Sequence, residues 1–129
     1  MLAQAVAERP LECCGLLAGP VVPGASEWRV VRRYPLVNAA ASPIEYESDS
    51  RSMLNAFKDM RRQGWDLLAV YHSHPTSPPT PSRKDIERNY YGDEVVHFII
   101  SLQSAQPEVR GWHLSENDFR QAEWRVLEE

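Results

Sequence analysis

The sequence predicts an α/β fold, a sandwich built on one mixed, strongly curved β-sheet with helices on its faces. Three observations carry the prediction. Met53, Leu54, Phe57 and Met60 recur at helical spacing after the capping cluster Ser48-Asp49-Ser50, and the pattern stops at Gly64. Short apolar runs, 66–71 (DLLAVY) and 94–102 (EVVHFIISL), read as buried strands. Helical and strand-like stretches alternate along the chain in the order α-β-β-α-β-α-β-β-β. At 129 residues, one domain spanning 1–129 with a single hydrophobic core is expected.

The elements follow in order. Residues 1–9 are alanine-rich, with Leu2, Ala3 and Val6 giving a short amphipathic helix ended by Pro10. Residues 11–19 read as a strand between Pro10 and the Gly19-Pro20 turn. Residues 26–38 alternate in part, and Pro35 predicts a bend or an edge position, because proline has no ladder donor. Residues 43–47 form a short extended piece before the helix that ends at Gly64. The strand from Asp66 leads into a proline-rich bend, and residues 82–90 form a short helix stopped by Gly92. Strands over 94–102 and 109–114 follow, then a last strand or irregular tail over 119–127.

Composition excludes several function classes. The net charge is −4 with no basic block, which argues against nucleic acid as a partner. No run approaches the length of a membrane span, and the first residues lack the basic start and apolar core of a signal peptide. The two cysteines, Cys13 and Cys14, are adjacent and geometrically unsuited to bridging each other. A reducing compartment, the cytoplasm, is the expectation.

The chemistry concentrates in residues 71–85, YHSHPTSPPTPSRKD. On a strand, residues i and i+2 share a face, so His72 and His74 aim two imidazoles at one point while Ser73 faces away. Pro75 ends the strand. After the bend, Ser82 is placed as the N-cap of a helix that carries Asp85 three residues on. Two neutral imidazoles and one carboxylate are a common ligand set for a catalytic zinc, with a fourth position left for water.

His-Ser-His-Pro, seven residues between His74 and Ser82, then two more and Asp85, resembles the signature of the JAMM (MPN+) zinc metalloproteases. That family also has a glutamate ahead of a small, glycine-containing strand, matched here by Pro10-Leu11-Glu12-Cys13-Cys14-Gly15. The resemblance runs from Glu12 to the strand near Trp112. It implies the MPN/JAMM, cytidine-deaminase-like sandwich, with zinc on His72, His74 and Asp85. It implies that Glu12 holds the attacking water without being a ligand, and that Ser82 donates to the carbonyl oxygen of the scissile bond. Family members tend to begin with a strand before the first helix, which puts the true start upstream of Met1.

Some residues carry two readings. Without the resemblance, Glu12 reads as a surface glutamate at a strand end. As an N-cap, Ser82 binds a backbone N–H; as a catalytic group it must donate its one proton. Cys14 shares the face of Glu12 and reads either as a small buried hydrophobe or as a soft competitor for the metal. His97 and His113 sit in strands as core histidines, and Asp66, Glu45 and Glu47 read as solvated.

The resemblance implies a peptidase or isopeptidase acting on ubiquitin, ubiquitin-like modifiers or bacterial sulfur-carrier proteins whose tail ends in diglycine. An extended tail of that kind can add as a strand to a sheet edge, for which 44–47 is the candidate. The short chain favours a small prokaryote-type enzyme. The alternative is a metal-free MPN-type scaffold for protein interaction. A zinc deaminase needs His-x-Glu and Pro-Cys-x-x-Cys, and neither occurs.

Overall fold

The computed structural model describes residues 1–40, 42–43, 46–92 and 94–127. In chain order the elements are α1 (Leu2–Glu8), β1 (Cys14–Gly19), β2 (Arg32–Leu36), α2 (Ser50–Gln63), β3 (Asp66–His74), α3 (Arg83–Glu87), β4 (Val96–Ser101), β5 (Glu108–Leu114) and β6 (Phe119–Ala122). The strands form one open, mixed sheet in the order β2-β1-β3-β4-β5-β6. Among the described residues, only β3 and β4 run parallel, and α3 lies in the crossover that joins them. The α/β class and the element order are those the sequence predicts. Among the described residues, no helix is long and apolar enough to cross a membrane.

The period-2 alternation of the strands divides the core between two faces. One holds Ala5 of α1 with Cys13, Leu17, Ala69, Tyr71 and Phe98. The other holds Ala56 and Met60 of α2 with Cys14, Leu16, Leu36 and Val70. It continues into Ile99, Trp112 and Leu114, against which Ile86 of α3 packs. The central strand β3 is buried from Leu68 to its end, so polar side chains there must find partners within the protein.

Helix α2 is bounded as its sequence demands. Asp49 caps it by accepting from the Ser52 N–H at 2.9 Å, and Gly64 closes it at φ 75°, with the Trp65 N–H bonded to the Met60 carbonyl. Pro35 pairs with Gly15 from the edge strand β2, where its missing N–H goes unnoticed. Gly15 has a second constraint. A Cβ there would lie 2.1 Å from the ring of Tyr71. That ring is fixed in turn by its hydroxyl, which donates to Gln4 Oε1 and accepts from Arg33 at 3.2 Å. Gly15→Ala is therefore expected to cost about 1–3 kcal/mol of stability, as overpacking does in a tight core. A denaturant midpoint unchanged from the wild type would count against this close packing.

Several elements are shorter than their sequence patterns. The ladder of β1 begins at Cys14, not at residue 11, because the Glu12 N–H bonds the Ser42 carbonyl instead of a strand neighbour. Only Arg32–Leu36 of residues 26–38 pairs as a strand. Helix α3 stops at Glu87, well before Gly92, where Asn89 Oδ1 accepts from the Tyr91 N–H and competes with helical bonding. Of the extended piece expected over 43–47, Ile44 and Glu45 lie outside the described residues.

Candidate metal and catalytic centre

Strand β3 delivers both histidines to the α2/α3 face, 1% and 5% exposed. Ser73 points to the other face. Its Oγ accepts from the Cys13 N–H at 2.8 Å and its own N–H donates to the Cys13 carbonyl at 3.0 Å, which locks the end of β3 to the chain ahead of β1. Beyond Pro75 the bend is poor in N–H groups, and its carbonyls are taken by side chains from three adjacent strands. Ser101 Oγ of β4 donates to the Ser77 carbonyl at 2.6 Å. Trp112 Nε1 of β5 donates to the Pro79 carbonyl at 2.8 Å. Between them, His74 Nδ1 lies 2.8 Å from the Pro78 carbonyl. A carbonyl only accepts, so Nδ1 donates here, and with a metal bound the Nε2 lone pair would be the one that faces the centre.

The clamped bend leads into α3 through a reciprocal cap. Ser82 Oγ accepts from the Asp85 N–H at 3.1 Å, and Asp85 Oδ2 accepts from the Ser82 N–H at 2.8 Å. The cap fixes the Asp85 carboxylate over the histidines. Its Oδ1 is 3.1 Å from His72 Nε2 and its Oδ2 is 3.2 Å from His74 Nε2. The two Nε2 atoms are 3.1 Å apart.

These three residues are a group of ligand atoms within 4.8 Å of one another. Tetrahedral zinc with bonds of about 2.0–2.1 Å places neighbouring donors about 3.3 Å apart, so the set fits that ion in donor type and in spacing. Electrostatics agree. Burial pushes the Asp85 carboxyl up, but the electrostatic attraction of the neighbouring His72 and hydrogen bonds from His72, His74 and the Ser82 N–H outweigh it and hold it well below the usual carboxylate range. Burial pulls His74 down, and the bonds to Asp85 and the Pro78 carbonyl reverse it to a net rise.

Glu12 is not at the surface. It is 3% exposed, with its N–H on the Ser42 carbonyl and its own carbonyl accepting from Asn38 Nδ2 at 2.9 Å. The antiparallel register Cys14↔His72, carried two residues further, sets Glu12 across from His74 on the face of the centre. Glu12 is close enough that its charge helps raise His74. Ser82 is observed as the cap. As cap, the hydroxyl uses a lone pair, so its proton remains to be donated.

The remaining polar residues fall outside the centre. His97 is buried, bonded to Asn89 Oδ1 at 3.1 Å, and lowered to about 4 by burial and then by His72, so it stays neutral. His113 is half-buried in β5 and is not in the ligand group. Cys13 and Cys14 are free and buried on opposite faces. Burial pushes the Cys14 thiol up to about 12, against the opposing bond from Ser48, so it is an inert thiol packed as a hydrophobe. Asp66 and Glu47 are exposed, as read, and Glu45 lies outside the described residues.

Two residues of the centre carry no signal that singles them out in the sequence. Tyr46 stacks on the His72 ring, with centroids 4.7 Å apart and planes 23° from parallel. Asn38 bonds both to the Glu12 carbonyl and to the Glu47 N–H. A cleft of about 500 Å³, lined by Tyr46, Met53, Lys84, Asp85, Arg88 and Tyr91 among others, opens beside the ligand group.

Fold and donor set together define the class: an α/β protein of the JAB/MPN type. Residues 1–115 match the family model described as prokaryotic homologs of the JAB domain, and the chain belongs to that family. It is 31% identical to a desampylase from Pyrococcus furiosus over 113 residues, 88% of this chain and 74% of the relative. It is 28% identical to a CysO-cysteine peptidase from Mycobacterium bovis over 129 residues, all of this chain and 86% of the relative. A solution structure of a protein from Desulfitobacterium hafniense superposes with a TM-score of 0.85 at 38% identity, covering 100% of this chain and 87% of that one.

Proposed function

We propose that this chain is a zinc-dependent peptidase or isopeptidase that hydrolyses the bond following the Gly-Gly tail of a ubiquitin-like or sulfur-carrier protein. One observation carries the reading: His72, His74 and Asp85 converge within 4.8 Å on the face shared with the buried Glu12. The relatives named desampylase and CysO-cysteine peptidase support the substrate class. Two buried, unpaired cysteines support a reducing compartment, and we place the protein in the cytoplasm.

His72, His74 and Asp85 would hold the zinc, which when bound supplies Lewis acidity and a water of lowered pKa. Glu12 takes the proton of the attacking water and returns it to the leaving amine, which would otherwise be too basic to depart. Ser82 donates its hydroxyl proton to the scissile carbonyl oxygen as charge grows there. The capping box and the clamped bend keep Ser82 and Asp85 in fixed register, so little reorganisation is needed when the bond breaks.

Selectivity for glycine follows from sterics. Residues without side chains can lie against a centre walled by Asp85, Tyr46 and α3, whereas a branched pair cannot. The test is a matched set of ubiquitin-like fusions ending Gly-Gly, Gly-Ala, Ala-Gly and Gly-Val before the cleavage point, assayed with zinc and with a chelator. Gly-Val is expected to lower kcat/KM on the order of 100-fold, since even one ill-fitting methylene changes it by about 10-fold or more. Equal, chelator-sensitive cleavage of all four would remove the diglycine reading alone. Cleavage indifferent to the chelator would remove the zinc reading.

A further inference from the structure

We infer that Tyr46 is a positioning residue for His72, fixing by stacking an imidazole whose Nδ1 no hydrogen bond holds. The inference rests on the reading of His72 as a zinc ligand. A ligating histidine ordinarily donates its second ring N–H to an acceptor, which sets both tautomer and ring twist. His74 follows that rule through the Pro78 carbonyl at 2.8 Å. His72 does not: its Nδ1 is buried and has no hydrogen-bond partner among the described residues. In its place the Tyr46 ring lies 4.7 Å away and 23° from parallel. Turning the imidazole about its Cβ–Cγ bond would drive its edge into that face, so the stack holds Nε2 toward Asp85 and His74.

The ring stop is itself anchored. Tyr46 lies outside the regular strands, yet the Glu47 N–H donates to Asn38 Oδ1 at 2.9 Å and the Glu47 carbonyl accepts from Ala39 at 2.6 Å. The same Asn38 side chain donates to the Glu12 carbonyl at 2.9 Å. One amide thus ties the backbone beside Tyr46 to the backbone of Glu12. Ligand orientation and base placement share an anchor.

Zinc affinity by chelator competition tests this without any substrate. Tyr46→Leu is expected to weaken zinc binding about 10- to 100-fold and Tyr46→Phe, which keeps the stack, to stay within about 3-fold, as for other outer-sphere partners of metal ligands. With cobalt in place of zinc, the ligand-field absorption should change in Tyr46→Leu and persist in Tyr46→Phe. A merely structural role for Tyr46 would move the melting temperature and leave that spectrum alone. A folded Tyr46→Leu protein with wild-type zinc affinity and cobalt spectrum would overturn the inference. Should Tyr46→Leu not fold, NMR of the wild type decides. The His72 ring protons are expected upfield of those of His74 through the Tyr46 ring current, and unshifted His72 protons would overturn the stack. A wild type without zinc affinity would instead remove the ligand assignment itself, an outcome distinct from either.

Discussion

Replacing His72 by alanine is expected to remove zinc and activity together. Three protein ligands are the minimum that a catalytic zinc site of this kind uses, and losing one weakens affinity by orders of magnitude. His72 is the cleaner of the possible substitutions. Asp85 also caps α3 through the Ser82 N–H at 2.8 Å, so Asp85→Ala combines ligand loss with a frayed helix costing about 1 kcal/mol. His72 Nε2 serves only the centre, where it faces His74 at 3.1 Å and Asp85 at 3.1 Å. The measurements are zinc stoichiometry by elemental analysis and cleavage of the Gly-Gly fusion. A third readout is thermal: added zinc raises the melting temperature of any protein that binds it only when folded. That rise should appear in the wild type and vanish in His72→Ala. A His72→Ala protein with stoichiometric zinc would sink the ligand assignment.

The parts of this centre that were legible in the sequence are those fixed by local geometry. Pro75 ends β3, and alternation along the strand then fixes which face His72, His74 and Ser73 take. Ser82 three residues before Asp85 is a cap pattern readable at a glance, and it is the cap observed. What stayed hidden depends on partners far away in the chain. The acceptors of the bend are served by Ser101 and Trp112, whose positions follow from the parallel register of β3 with β4 and the pairing of β4 with β5. The burial of Glu12 depends on residues 38 and 42 crossing over it, and a glutamate by itself reads as exposed. Tyr46 stacks on His72 from a segment with no regular periodicity, so no pattern rule reaches it. The boundary of α3 was misplaced for a similar reason. Asn89 diverts the backbone with its own side chain and also bonds His97 of β4, a tertiary partner.

Glu12→Gln is expected to lower kcat by about two to four orders of magnitude while leaving the zinc in place, the range typical for a lost general base. Glutamine keeps the volume and the backbone contacts of Glu12. Its N–H still meets the Ser42 carbonyl and its carbonyl still accepts from Asn38, so the fold of this segment has no cause to change. The amide cannot take a proton from water at neutral pH. Among the described residues the candidate ligand atoms are those of His72, His74 and Asp85, without Glu12, so metal content should match the wild type. Alanine is the poorer probe, because it would open a void in a position only 3% exposed. Two results speak against the role. Full activity with intact zinc would mean that the proton goes elsewhere. Loss of zinc would mean that Glu12 acts on the metal directly or holds its ligands, and that the division of labour between Glu12 and the three ligands is wrong. The effect should fall on kcat with KM little changed, since a proton acceptor acts in the transition state and not in holding the tail.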